Sequence, residues 1–425
     1  MRTSFRSIPP PSAAARNAPD RLAVASAIGL RLVREAVWYR GQCSWIGLDS
    51  AATYRRERPR PAHRSLGPAL ADGTAGMAWC LAQLHAAGGD AEVRRTALGA
   101  IGQALAHADE LPPGGLYGGR LGVAYAAARC GVLLGDERLT AQAARLARAR
   151  PSPTREFDLF TGSAGTIAAL LALARLLGDE RLFAVAMRPA DELVTTARRS
   201  SDGWSWPPPG SPAQHGLCGL AHGAAGAAWA LLELFAVTGD ARHREAAERA
   251  LDYERRWFDP EQANWPDLRG VRRIERRGSF RSEAGAASWT QGAPGIALSR
   301  LRAWEILGDE RYRDEATIAL RTTEAHVERA LLAPHAGFGL GEGLAGCADV
   351  LLLGAALLPS GADLAVRVGD VGSGRHGASL DGWPGAMPGA RTPALLNGDA
   401  GIGHLYLRLH DPSVPSALLV GTPPA

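Results

Sequence analysis

The chain has 425 residues, 46% hydrophobic and 21% charged, which is enough to bury one or two large cores. All 47 basic residues are Arg, and the lack of Lys excludes a Schiff-base enzyme, a P-loop ATPase or a protein kinase in this chain. A net charge of +4 is too small to argue for nucleic acid as a partner, and no apolar run reaches membrane-spanning length.

Residues 1–20, rich in Arg, Pro, Ser and Ala, lack the apolar segment of a signal peptide. They read as a disordered arm on a cytoplasmic protein. From residue 21 to 410 a Gly-x-x-Gly pair recurs seven times, at Gly73/Gly76, Gly119/Gly122, Gly162/Gly165, Gly223/Gly226, Gly292/Gly295, Gly343/Gly346 and Gly398/Gly401. After five of these a Gly-Asp follows thirteen residues beyond the second glycine: Gly89-Asp90, Gly135-Asp136, Gly178-Asp179, Gly239-Asp240 and Gly308-Asp309. Equal spacing repeated in this way marks a repeat architecture.

The stretch inside each repeat, such as Thr166 to Leu177 or Ala227 to Val237, is apolar nearly all round and predicts a helix buried on every side. Gly-Asp ends it, Gly as a left-handed cap and Asp as the cap of the next helix. That next helix differs in kind. Arg244 to Phe258 carries Ala246, Ala250, Tyr253 and Trp257 on one stripe, with Arg and Glu elsewhere. Buried helices alternating with amphipathic ones predict an all-α fold, an α/α toroid of seven inner and seven outer helices. The glycines leave the inner-helix N-termini at one end of the ring, where they are expected to stand unobstructed and favour negative charge.

Two connections stand out: the Arg-rich stretch Arg272 to Arg281, and a Gly-, Pro- and Arg-rich loop from Gly369 to Arg391. Residues 411–425 read as a C-terminal tail. Five cysteines, Cys43, Cys80, Cys130, Cys218 and Cys347, are widely spaced with no CxxC pair, so neither a disulfide framework nor a zinc ribbon is indicated. His215, Cys218 and His222 have a locally plausible metal spacing but no fourth ligand, and Cys218 reads better as a small buried side chain.

The motifs ADGTAG (71–76), FDLFTGSAG (157–165), GLAHGAAG (219–226), SWTQGAPG (288–295), GEGLAG (341–346) and LLNGDAGIG (395–403) together resemble the lanthionine synthetase C-like family. The resemblance runs from about residue 20 to 410. It implies a seven-plus-seven toroid and a Michael addition of a peptide cysteine thiol to a dehydroalanine or dehydrobutyrine. In zinc-dependent members of that family, three metal ligands stand where this chain has Thr290, Gly341 and Glu342. The resemblance therefore implies no metal and no cofactor here, because Thr and Gly are not zinc ligands and one Glu cannot hold a closed site. Gln291 replaces a Tyr of the family, and Ala286 stands where an Arg is expected.

Two polar positions match the family's active-site residues, His222 in AHG and Asp158 in FDLFTG. About 3% of a free thiol is ionised at neutral pH, so without zinc a general base must act. His222 is the expected general acid and base, because imidazole titrates near neutrality, and Asp158 is expected to orient it. Asp158 also lies where it could cap the helix after Gly162. Trp289, Thr290, Gln291 and Glu342 are the expected substrate-binding residues. The partner implied is a dehydrated ribosomal precursor peptide, with separate kinase and lyase components supplying the dehydro residues. Two other readings stay open: a non-catalytic scaffold that binds the precursor and those enzymes, and a carbohydrate-active barrel using Asp158 and Glu342. The ring pattern, whether lanthionine, labionin or aminovinyl-cysteine, is not legible.

Overall fold

The computed structural model describes residues 20–48, 63–149, 154–208, 215–269, 287–377, 382–385 and 391–421. Among them are α1 (Arg21–Glu35), α2 (Thr74–Gly88), α3 (Ala91–Ala106), α4 (Arg120–Leu134), α5 (Glu137–Arg148), α6 (Ser163–Leu177) and α7 (Arg181–Thr196). There follow α8 (Ala224–Thr238), α9 (Ala241–Arg255), α10 (Ala293–Leu307), α11 (Glu310–Leu332), α12 (Leu344–Leu353), α13 (Pro359–His376) and α14 (Asp399–His410). The even-numbered helices form an inner ring in which each touches the next and α14 touches α2. Each odd-numbered helix from α3 to α13 covers the inner helix before it, and α1 covers α14, so the N-terminal helix closes the outer ring. The fold is the all-α toroid of seven inner and seven outer helices.

The repeat glycines have two separate jobs. Gly89, Gly135, Gly178, Gly239 and Gly308 adopt φ between 64° and 73° and end the inner helices, as the Gly-Asp pairs predict. Asp90, Asp136, Asp240 and Asp309 then accept a backbone N–H from the first turn of the outer helix. The second glycine of each Gly-x-x-Gly sits under a carbonyl six residues earlier. A Cβ at Gly76, Gly122, Gly226 or Gly401 would lie 1.8–2.1 Å from that oxygen. These glycines let the loop fold down onto its own helix.

That close fold corrects the expectation of unobstructed helix N-termini. The Thr74, Ser163, Ala224, Leu344 and Asp399 N–H groups each donate to a carbonyl seven residues earlier in the same loop. The loops satisfy the helix starts themselves, leaving less of their positive charge for a ligand.

Two features escape the repeat pattern. Small hairpins follow α1 and α7: β1 (Val37–Tyr39) with β2 (Gln42–Ser44), then, after the separate pair β3 (Ile46–Leu48) and β4 (His63–Ser65), β5 (Arg198–Ser200) with β6 (Gly203–Ser205). Each of the two ends in a Ser-Trp whose indole N–H donates back to its helix, Trp45 to the Leu32 carbonyl and Trp206 to that of Leu193. Residues 411–421 fold into the ring. Val414, Ala417, Leu418, Leu419 and Val420 are buried, and Ser416 bonds Asp349, itself paired with Arg408.

The predicted loop from Gly369 is corrected, because residues 369–376 continue α13. Its glycines serve close contact: a Cβ on Gly372 would meet Phe338 and Trp383 at 2.8 Å. Residues 1–19 and the Arg272–Arg281 stretch lie outside the described residues. No described helix is long and apolar enough to cross a membrane.

Candidate active site

The residue before the first glycine of each repeat holds the same place at the mouth of the inner ring. These are Asp72, Gly118, Thr161, His222, Gln291, Glu342 and Asn397. Their loops are stitched side by side by backbone hydrogen bonds, among them Ala71 N–H to Tyr117, Leu159 to Ala221, Ala221 to Thr290 and Leu396 to Ala71. His222, Gln291 and Glu342 therefore follow one another around the rim. The repeat spacing carries this signal, but it emerges only when the positions just before the glycines are compared.

His222 is fixed from two directions. Its Nδ1 lies 2.6 Å from Asp158 Oδ2, and its ring stacks on Phe160 with centroids 4.7 Å apart. With Nδ1–H donating to the carboxylate, the lone pair is on Nε2. Asp158 is itself anchored: its Oδ1 accepts the N–H groups of Phe160, Thr161 and Gly162 at 3.0–3.2 Å. One carboxylate oxygen thus shapes the loop before α6 while the other holds the imidazole. Asp158 is placed to orient His222, but it does not cap α6, which starts from Gly162 with no side-chain cap hydrogen bond. Burial and the nearby Asp158 carboxylate push the Glu156 carboxyl up, opposed by His222.

Glu254 of α9 braces the loop that carries His222. It is fully buried, and its Oε1 accepts from Gly219 N–H at 3.1 Å and Ala225 N–H at 2.8 Å. Burial pushes its carboxyl up to about 7, against the opposing pull of Arg300 and those two N–H groups. Cys218 is buried beside it, with its thiol raised well above the usual range by burial and by Glu254. This thiol does not join His215 and His222 in a cluster, and no group of three metal-type side chains occurs among the described residues.

The predicted substrate residues divide into two sets. Trp289 is wholly buried; its indole donates to the Leu418 carbonyl at 3.2 Å, so it supports the site from beneath and presents no surface to a ligand. Tyr117 donates to the Ala417 and Leu418 carbonyls, and the Tyr117, Trp289 and Phe160 rings pack together below His222. Thr290, Gln291 and Glu342 meet at the rim. Thr290 Oγ1 lies 3.2 Å from Glu342 Oε1 and 2.8 Å from Ser288 Oγ. Beside them opens a cavity of about 500 Å³ lined by Ser288, Gln291, Glu342, His326 and Ala330 among others. Thr290, Gly341 and Glu342 offer a single carboxylate, a donor set that does not fit a zinc ion. Phe160 lies within the FDLFTG motif but its stacking on the imidazole was not legible from it, and the Glu254 brace and the C-terminal floor have no motif.

The family profile described as "Lanthionine synthetase C-like protein" matches residues 64–419. Among solved structures, one named "Nisin cyclase" superposes with a TM-score of 0.62 at 18% identity, covering 81% of this chain and 89% of that one. A GH76 α-mannanase from Bacteroides thetaiotaomicron gives a TM-score of 0.49 at 10% identity, covering 92% and 96%. No curated protein matches by sequence.

Proposed function

The chain belongs to the lanthionine synthetase C-like family, and on that premise we propose that it is a thioether-forming peptide cyclase that works without zinc. His222 Nε2 takes the proton of a peptide cysteine thiol. The thiolate attacks Cβ of a dehydroalanine or dehydrobutyrine, the π electrons move to the carbonyl oxygen, and the resulting enolate is protonated at Cα by His222 Nε2–H. Atoms and charge balance with no co-reactant. Asp158 keeps the proton on Nδ1 and the lone pair on Nε2 throughout. The dehydro residues come from kinase and lyase activities in this reading, and this chain, having no Lys, carries no kinase site of its own.

The observation that carries this reading is the Asp158–His222 pair at 2.6 Å, with Asp158 pinned by three backbone N–H groups. The Thr290, Gly341 and Glu342 donor set supports the metal-free form. The test is incubation of a dehydrated, cysteine-containing precursor with the protein and a chelator, with thioether product counted by mass spectrometry. Product formation undiminished by the chelator is expected. Activity lost to the chelator and restored by zinc contradicts the metal-free form. No product, with the precursor still bound, favours a scaffold for the kinase and lyase.

A further inference from the structure

The ring of backbone hydrogen bonds that joins the seven mouth loops has one gap. Ala71 pairs with Tyr117, Gly118 with Phe160, Leu159 with Ala221, Ala221 with Thr290, Gly341 with Leu396, and Leu396 with Ala71. Between Thr290 and Gly341 no backbone bond forms among the described residues. Among the described residues the two loops are joined there through side chains, Thr290 Oγ1 to Glu342 Oε1 at 3.2 Å, with Cys347 Sγ of α12 also donating to the Ala287 carbonyl. An unclosed step in such a ladder leaves a peptide N–H on one side and a carbonyl on the other, the groups to which an extended chain adds.

The cavity of about 500 Å³ lies beside this gap, lined by the residues that follow Thr290 and Gly341 in the two loops, Gln291 and Glu342. Gln291 lines it, is 2% exposed, and its buried Oε1 has no hydrogen-bond partner among the described residues. A buried acceptor left unmet costs about 1–3 kcal/mol, and a ligand carrying an N–H group removes that cost. One part of the remaining wall is apolar, with Ala287, Ala330, Ala336 and Leu344, which suits short side chains, and the rest carries Arg269, His326, His335 and Glu342. Gln291 is also next to the imidazole along the rim, since the Thr290 carbonyl accepts from Ala221, the residue before His222.

We propose that the gap between Thr290 and Gly341, with the cavity behind it, is the docking site for an extended segment of the substrate peptide. One backbone N–H of that segment meets Gln291 Oε1, and its main chain completes the open step between the Thr290 N–H and the Gly341 carbonyl. The occupant is uncharged where it passes the alanines, and it is held chiefly through its main chain, so the site accepts many sequences. This rests on the reading that the substrate is a peptide, but it does not depend on which proton-transfer group acts.

The test uses the full chain and a short fluorescent peptide carrying one dehydroalanine, with Ser in place of the cysteine so that it binds without cyclising. Fluorescence anisotropy of the wild type, Ala330→Trp and Gln291→Leu gives the affinities. Either substitution is expected to weaken binding by about tenfold, the first by filling the cavity and the second by removing the acceptor. Hydrogen–deuterium exchange is expected to slow at residues 287–291 and 336–344 of the wild type when the peptide is added. Wild-type affinity in both variants, no binding to the wild type, or protection confined to other loops overturns the proposal. If Ala330→Trp fails to fold, Gln291→Leu and the exchange pattern decide. Binding that responds to the variants while the cysteine-containing peptide is never cyclised leaves the docking site standing and refutes the cyclase reading. Enzyme-dependent cyclisation with unaltered affinities in the variants does the reverse.

Discussion

His222 owes its setting to residues from two repeats, its own and the one before it. Asp158 and Phe160 come from the loop before α6, and Glu254 reaches across from α9 to hold the backbone on either side of the imidazole. The Glu254 carboxyl, pushed by burial to about 7, binds its proton more tightly in the folded than in the unfolded chain. Its contribution to stability is therefore whole below the ordinary carboxylate value and is lost as pH rises through about 7. Glu254→Gln keeps an oxygen for the two N–H bonds and cannot ionise. The melting temperature of the wild type relative to this variant is expected to fall between about pH 5 and pH 8, read by thermal melts across that range; a constant difference contradicts it. Of these residues the sequence reveals His222 and Asp158, through their motifs. It hides Glu254, whose carboxylate looks like one more solvated charge on an amphipathic helix until the fold aims it inward.

At the scale of elements, the inner helices are legible because glycine has to be where it is. The cap glycines need positive φ, and the second glycine of each pair must admit a carbonyl that any Cβ would block. The C-terminal segment is the opposite case. Ala417 to Val420 is too short an apolar run to register as an element, so residues 411–425 read as a tail. Instead, residues 411–421 form the floor of the site: Leu418 accepts from both Tyr117 and Trp289, and those rings support Phe160. His404 ties the same segment through the Pro415 carbonyl, and burial depresses its imidazole to about 4. Tyr117→Phe deletes the hydroxyl that serves the Ala417 and Leu418 carbonyls. The loss expected in a urea titration is about 1–3 kcal/mol, with faster amide exchange at residues 414–420. Unchanged stability and exchange mean that the segment is held by apolar contact alone.

Across the whole molecule, seven repeats build a closed ring whose mouth carries one variable residue per repeat. That arrangement separates the scaffold, fixed by glycine, from the side chains at the mouth, which differ from repeat to repeat: Asp72, Thr161, His222, Gln291, Glu342 and Asn397. The number of repeats was countable in the sequence. Ring closure by α1 was not, because that helix has no glycine pair to announce it and its partner, α14, is the last helix among the described residues. The same separation explains how the positions that hold metal ligands in zinc-dependent members of the family can carry Thr290, Gly341 and Glu342 here with the fold intact. The central claim is that a histidine fixed by a carboxylate replaces a metal as the group that activates the thiol. The measurement that tests it most directly is the rate of thiol loss from a dehydrated precursor, with chelator present, for wild type and His222→Ala. The account predicts a fall of about 10²–10⁴-fold in the variant, with folding and peptide affinity retained; equal rates contradict it.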